Sequence, residues 1–165
     1  MTALGARRWQ PILVAALAAL GVAILGGLMT ELGTWYYGLR QPAWKPPDWL
    51  FGPAWTVIFA LIAVAGLRAW ERAPDRAARE WLLALFALNA FLNVLWSLLF
   101  FRLRRPDWAL VEVGFLWLSI VLMIVVLARQ HRPAAWLLAP YLAWVTFAAA
   151  LNAAVVQLNA PFDGG

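Results

Sequence analysis

The chain has 165 residues, of which 65% are hydrophobic and 13% are charged, and its formal net charge is +5. A soluble domain of this length would have too little polar material to cover its surface, so the composition predicts a membrane protein. The thirteen basic residues lie in short clusters between apolar runs, which argues against nucleic acid binding, and the absence of cysteine excludes disulfides and thiolate metal sites.

Five segments that are almost free of charge follow one another along the chain. They cover residues 11–30, 49–67, 81–101, 108–128 and 133–158, and Glu112 is the one charged residue inside them. Each segment reaches or approaches the roughly 20 residues that a helix needs to cross a hydrocarbon core. Barrel strands are much shorter, and lipid offers backbone groups no hydrogen-bond partner, so the segments must be helices. We expect an all-α integral membrane bundle of five transmembrane helices, forming a single domain over residues 1–165.

The first segment resembles a signal anchor, but no convincing cleavage site follows it, so we expect it to remain as a transmembrane helix. Five spans place the two termini on opposite faces of the membrane. Eight basic residues, including Arg7 and Arg8, fall on the N-terminal face, and five fall on the other face. This excess predicts a cytoplasmic N-terminus. The arginine-rich and alanine-rich usage indicates a bacterial protein and leaves open whether it lies in the inner or the outer membrane.

Along the first span, small residues recur at helical spacing at Ala15, Ala19, Ala23 and Gly27. This pattern predicts close packing of a neighbouring helix, within the chain or in a second subunit.

The loop after the first span is rich in proline and tryptophan, reading QPAWKPPDWLFGPAW over residues 41–55. Its four prolines restrict φ and hold Trp44 and Trp49 on a stiff segment. A rigid segment that carries two indole rings suits a lid over a cavity.

Polar and aromatic residues recur at one depth beneath this loop. Trp55, Asn93, Trp96 and Asn152 all lie roughly 8–12 Å below the membrane face that the loop covers. Polar groups at such depths tend to face a bundle interior or a wet cavity, so the asparagines are either interhelical hydrogen bonds or ligand contacts. We expect Glu112, at the same end, to lie in the first turn of its helix and interact with the helix dipole.

A lid of indole rings over an aromatic, sparsely polar cavity describes a site for a flat, largely apolar ligand. Cations on the same face could pair with carboxylates at the ligand's edge or attract lipid headgroups. They are Arg40, Lys45, Arg102, Arg104 and Arg105. The single histidine, His131, lies on the opposite face, so the sequence offers no zinc site and no axial ligand for haem iron. It also contains no conventional catalytic constellation and leaves enzymatic activity open.

Four blocks of sequence carry a resemblance to a known family. WYYGLRQPAWKPPDWLFGPAW, LNVLWSLLFF, DWALVE and PYLAWVTFAAALN occur in this order. Their content and spacing resemble the TspO/MBR family, the tryptophan-rich sensory proteins of bacteria, which are related to the mitochondrial translocator protein or peripheral-type benzodiazepine receptor. The resemblance extends from about residue 20 to residue 155.

This resemblance implies a homodimer that binds porphyrins such as protoporphyrin IX in a cavity closed by the first loop, with no required cofactor. It also implies binding of isoquinoline carboxamide and benzodiazepine drugs. Some bacterial members are associated with light-dependent porphyrin breakdown through two cavity tryptophans, which match Trp55 and Trp144 here as hypothetical catalytic residues. Cholesterol binding, which occurs in animal members, is doubtful because no Lys or Arg follows Arg132.

The ligand-binding residues predicted from the pattern and the resemblance together come from the loop and from three spans. They are Trp35, Tyr36, Pro42, Trp44, Trp49, Trp55, Phe59, Asn93, Trp96, Tyr141, Trp144, Ala148 and Asn152. The expected function is a tetrapyrrole-binding membrane protein that senses, sequesters or helps to dispose of porphyrin. The alternatives are a transporter of porphyrins or other small apolar ligands, and a regulatory membrane partner whose cavity holds lipid.

Overall fold

The structure is a computed structural model that describes residues 3–162, with side chains described from residue 11 onward. The described residues form seven α-helices and contain no strand. The helices are α1 (Ala3–Met29), α2 (Thr34–Gly38), α3 (Phe51–Arg72), α4 (Arg76–Ser97), α5 (Pro106–Gln130), α6 (Arg132–Trp136) and α7 (Ala139–Asn159). A 3₁₀ turn, Asp48–Leu50, precedes α3, and a π-helical turn, Leu98–Arg102, extends α4.

Five of the helical segments are long and apolar enough to cross a membrane, which confirms the predicted all-α bundle. They correspond to α1, α3, α4, α5 and the α6–α7 pair. Residues 1, 2 and 163–165 of the expected single domain, and the side chains of Arg7 and Arg8 that entered the charge count, lie outside the described part of the chain.

Local signals in the sequence set the helix ends. Asp75 caps α4, because its side chain accepts a hydrogen bond of 2.7 Å from the backbone N–H of Ala78. Pro106 occupies the first turn of α5, where its missing N–H costs nothing. His131 separates α5 from α6 and caps the latter through Nδ1, which accepts from the N–H of Ala134 at 3.2 Å.

The bundle is solid towards the face that holds the N-terminal end of α1. There, Ala65 and Ala69 of α3 are fully buried, as are Leu127 and Leu138 from the α5–α6 side. Small side chains on α3 let the helices approach closely, which is how membrane helices gain packing energy. α1 differs, because none of its residues from 11 to 29 is buried. This helix therefore forms a wall of the bundle rather than part of its core.

Glu112 does not lie where the sequence suggested. α5 begins at Pro106, so Glu112 falls in the second helical turn and Asp107 is the acidic residue of the first turn. The Glu112 side chain is 6% exposed, and neither carboxyl oxygen has a hydrogen-bond partner among the described residues. The expected dipole interaction in the first turn was wrong, because the helix starts earlier than the uncharged run.

Candidate ligand cavity

A cavity of about 760 Å³ lies beneath the loop that joins α2 to α3. Its walls come from α1, α3, α4 with its π-helical turn, and α7, and the loop contributes to its upper end. No described residue of α5 lines it. Volumes of roughly 300–1,000 Å³ are typical of small-molecule sites, so the cavity is large enough for a sizeable organic ligand.

Aromatic rings form the wall where α3 meets α7. The rings of Trp55 and Phe59 are stacked, with centroids 5.3 Å apart and planes inclined by 26°. Trp144 packs edge-on against Phe51 at 5.6 Å and against Trp55 at 6.4 Å. These four rings all border the cavity, which gives it a continuous aromatic surface on this side.

A second group of rings lies on α4 and on the π-helical turn that follows it. Trp96 and Phe100 have centroids 5.2 Å apart, and Trp96 and Phe101 have centroids 6.0 Å apart. The turn contains an i to i−5 hydrogen bond of 2.9 Å from the N–H of Leu103 to the carbonyl of Leu98. The consecutive residues Phe100 and Phe101 both line the cavity.

The wall contributed by α1 is made of small residues. Ala19, Ala23, Gly26 and Gly27 line the cavity, and a Cβ added to either glycine would meet no atom within 4 Å. The stripe of small residues was expected to let another helix pack closely. At Gly27 that expectation was wrong, since its missing side chain leaves open cavity space instead.

One polar chain crosses the bundle from the cavity to α5. Asn93 Nδ2 donates to the Tyr141 hydroxyl at 3.2 Å, and that hydroxyl donates to Asn89 Oδ1 at 3.1 Å. Asn89 Nδ2 then donates to Ser119 Oγ at 2.8 Å, and the Ser119 hydroxyl donates to the carbonyl of Leu116 at 2.7 Å. Of the side chains in this chain, only Asn93 borders the cavity.

Polar contacts hold the loop in place at the upper end of the cavity. The Tyr36 hydroxyl donates to Asp48 at 3.2 Å, and Lys45 forms an ion pair with the same carboxylate. Burial raises the pKa of the Tyr36 phenol above its usual value, although Lys45 acts in the opposite direction. At the end of α7, Asn159 bonds both backbone groups of Arg40, accepting from its N–H at 2.8 Å and donating to its carbonyl at 2.9 Å.

The TspO/MBR family profile matches residues 13–158. The chain belongs to the TspO/MBR family. It is 42% identical over 146 residues to the tryptophan-rich protein TspO of Archaeoglobus fulgidus, covering 87% of this chain and 94% of that relative. It is 33% identical over 143 residues to a tryptophan-rich sensory protein of Cereibacter sphaeroides, covering 87% and 88%. With the translocator protein of Homo sapiens it shares 32% identity over 132 residues, covering 79% and 78%.

Family membership together with the five apolar helices makes this TspO/MBR protein a multi-pass integral membrane protein. Its cavity contains about half of the site residues predicted from the sequence. Those that line it are Tyr36, Trp55, Phe59, Asn93, Trp96, Trp144 and Ala148. Those that do not line it are Trp35, Pro42, Trp44, Trp49, Tyr141 and Asn152.

The two loop tryptophans do not roof the cavity of this TspO/MBR protein. Trp49 is 72% exposed, and Trp44 is 51% exposed and packs edge-on against Phe147 of α7 at 5.7 Å. The loop side chains that border the cavity are instead Gln41 and Asp48. Proline restricts the backbone, but it does not decide which face of the segment an indole ring takes. Exposed indoles at this level fit the aromatic belt at a membrane interface.

Three other predicted contacts have structural positions. Tyr141 is 1% exposed and serves the polar chain to Asn89. Asn152, also 1% exposed, joins α7 to the start of α5: its amide nitrogen donates to the carbonyl of Pro106 at 3.1 Å and its oxygen accepts from the N–H of Leu110 at 3.0 Å. Trp35 packs edge-on against Phe100 at 6.3 Å, behind the cavity wall.

Several lining residues were not predicted as site residues. Phe51 belongs to the quoted loop block, and Phe100 continues the helical line of Asn93 and Trp96, so the sequence held a signal for both. Phe101 owes its position to the π-helical turn, for which the sequence gave no visible sign.

Proposed function

We propose that this protein binds a planar, largely apolar tetrapyrrole such as protoporphyrin IX in the cavity beneath the α2–α3 loop, and so senses, sequesters or helps to dispose of porphyrin. The observation that supports the proposal most is the cavity wall itself. Rings of Trp55, Phe59 and Trp144 border it on one side, and rings of Trp96 and Phe100 border it on α4. Flat aromatic ligands gain most from such surfaces, through stacked and edge-to-face contacts.

Stacking and edge contacts would hold the ring without a metal bond from the protein. Among the described residues, no group of three or more His, Cys, Asp or Glu side chains could hold a metal ion. Cations near the loop are a weaker source of affinity, because Lys45 and Arg102 already pair with Asp48 and Glu31. A ligand carboxylate would have to compete with these protein carboxylates.

A transporter needs a route to the opposite face, and the packing argues against one in this conformation. Beyond the cavity, the helices meet through the fully buried Ala65, Ala69, Leu127 and Leu138. This solid half favours a binding protein over a transporter. Sealed proteoliposomes test the distinction, since accumulation of protoporphyrin IX inside them would indicate transport and would overturn the choice of a binding protein.

Assembly and location form part of the same proposal. We expect a homodimer in a bacterial membrane, with a cytoplasmic N-terminus and lipid around the exposed apolar faces. Drug-like apolar ligands of similar shape would share the cavity. Cholesterol is not included, because no Lys or Arg follows Arg132 at the end of the chain.

The test is a titration of the purified protein with protoporphyrin IX, followed by tryptophan emission. Several indoles border the cavity, so binding should quench emission in a saturable way. Free N-acetyltryptophanamide at the same indole concentration serves as the control for absorption and collisional quenching. If the protein shows only the unsaturated quenching of this control, porphyrin binding is refuted and the lipid-holding alternative remains.

A further inference from the structure

The polar chain from Asn93 to α5 has a direction, and Ser119 sets it. A serine hydroxyl has a single proton, and that of Ser119 is donated to the carbonyl of Leu116 at 2.7 Å within its own helix. Ser119 Oγ can then only accept from Asn89, so Asn89 contributes its Nδ2 on that side, at 2.8 Å. The amide oxygen of Asn89 consequently faces Tyr141.

The same logic fixes the orientation of Asn93. Tyr141 donates its one hydroxyl proton to Asn89 Oδ1 at 3.1 Å, so it can only accept from Asn93. Asn93 therefore spends an N–H on Tyr141, at 3.2 Å, and keeps its amide oxygen free of this chain. Asn93 is 6% exposed, lines the cavity, and accepts no side-chain hydrogen bond from the described residues through that oxygen.

We propose that Asn93 presents a fixed hydrogen-bond acceptor to the cavity, and that the cavity selects planar ligands that carry an N–H or O–H donor at their edge. Ser119, Asn89 and Tyr141 are the positioning residues that impose this polarity. The inference rests on the proposed function, since it requires a planar ligand in the cavity. It adds the chemical class of one edge group: an amide, an alcohol or a protonated acid satisfies Asn93, whereas an ester or an ionised carboxylate leaves the oxygen unpaired.

Two neutral derivatives of protoporphyrin IX test the selection. The bis-carboxamide and the dimethyl ester share one ring system and similar side-chain lengths, but only the amide offers N–H donors. A net hydrogen bond of ordinary strength corresponds to a preference of about tenfold, so we expect the amide to bind about tenfold more tightly than the ester. The readout is the ratio of the two dissociation constants, from which general losses of folded protein cancel.

Tyr141→Phe removes the acceptor for Asn93 and frees its amide to rotate. Amide binding should weaken while ester binding improves, because Asn93 Nδ2 can now donate to the ester carbonyl, and the ratio should approach one. Damage to the fold would weaken both ligands together. Ser119→Ala should shift the ratio in the same direction, since nothing then sets the direction of the chain, whereas Ser119→Thr keeps the hydroxyl and should keep the preference.

The outcomes separate this inference from the proposed function. If neither derivative binds the unaltered protein, the proposed function fails and the inference fails with it. If both bind equally well, the acceptor role of Asn93 is overturned while porphyrin binding stands. A tenfold preference that survives Tyr141→Phe would also overturn it, and should that variant not fold, the Ser119→Ala and Ser119→Thr pair decides in the same way.

Discussion

Trp55 of α3 and Trp144 of α7 meet edge to face, with ring centroids 6.4 Å apart and ring planes at 82°. Tyr141 packs on the same indole of Trp55 at 6.2 Å, from the buried side of α7. The wall between these helices is therefore closed by rings. A ligand on the cavity side contacts indole surfaces that other aromatic side chains already hold in position.

Trp55→Phe should abolish any light-dependent breakdown of bound protoporphyrin IX. In the hypothesis, the excited porphyrin takes one electron from the Trp55 indole, leaving an indole radical cation, and the porphyrin radical anion passes that electron to dioxygen to form superoxide. Phenylalanine is much harder to oxidise but keeps an aromatic contact, so binding should stay within about tenfold. The measurement is the loss of porphyrin absorbance under illumination.

Trp81→Phe is the matched control, because Trp81 is 76% exposed at the start of α4 and does not line the cavity. It should bleach porphyrin as the unaltered protein does. Bleaching that continues at the same rate in Trp55→Phe would show that this indole is not the electron donor.

Gly27→Leu should fill part of the cavity and weaken porphyrin binding. A Cβ at this position meets no atom within 4 Å, and the residue borders the cavity, so the added side chain can enter that space without displacing protein atoms. We expect a loss of at least about tenfold in affinity, since the wall no longer accommodates a large planar ring. The titration of tryptophan emission measures it.

Gly21→Leu, on the same helix, controls for the change in helix propensity. A Cβ there also meets no atom within 4 Å, but Gly21 does not line the cavity. Both substitutions favour the helix by a similar amount. Equal losses of affinity in the two variants would place the ligand elsewhere than against this part of α1.

The five spans could be predicted because charge and length alone decide which segments cross a membrane. Helical spacing also placed Asn93 and Trp96 on one line of α4, and both border the cavity. The same spacing identified Tyr141 and Asn152 as polar neighbours but not their partners. Each sits between two helices, and only the phase of α7 against α5 decides that Asn152 bonds backbone groups of α5 instead of a ligand.

Loop geometry was the least predictable part. The prolines correctly indicate a stiff segment, but the outward direction of Trp44 and Trp49 depends on contacts such as that between Trp44 and Phe147. The anchor between Arg40 and Asn159 joins positions 119 apart in sequence, and no local pattern announces it. Local rules therefore gave the composition of the loop without its orientation.

Asn152→Leu should destabilise the bundle while leaving porphyrin binding nearly unchanged. The variant loses two hydrogen bonds to the backbone at Pro106 and Leu110, worth about 1–2 kcal/mol in a membrane protein. That loss corresponds to a fall of about 2–8 °C in the unfolding midpoint. Dissociation constants measured below the midpoint should stay within about threefold. A large loss of binding at unchanged stability would instead identify Asn152 as a ligand contact.

Glu112→Leu should stabilise the protein. Both carboxyl oxygens are buried without a partner among the described residues, and an unsatisfied buried polar group costs about 1–3 kcal/mol. A rise of at least about 2 °C in the unfolding midpoint is expected. Val111→Leu, at a position that is 67% exposed on the same helix, should change nothing. A lower midpoint for Glu112→Leu would mean that the carboxyl has a stabilising role.

His131 should titrate below its ordinary pKa. Partial desolvation lowers the pKa of this imidazole, and the positive charges of Arg72 and Arg68 lower it further. Its Nδ1 accepts the N–H of Ala134, which only a neutral ring with a free Nδ1 can do. Because the folded pKa is depressed, the stabilisation is present above the unfolded pKa of about 6.5 and is lost as pH falls through the folded value.

The chain has a single histidine, so ¹⁵N NMR of the labelled imidazole reports this pKa without overlap. The midpoint should lie below 6.5, and Arg72→Gln should move it upward because one of the two repelling charges is removed. Arg76→Gln serves as the control, since Arg76 pairs with Glu80 instead. A midpoint at or above 6.5 in the unaltered protein would show that the ring is protonated as easily as in water and does not depend on the cap.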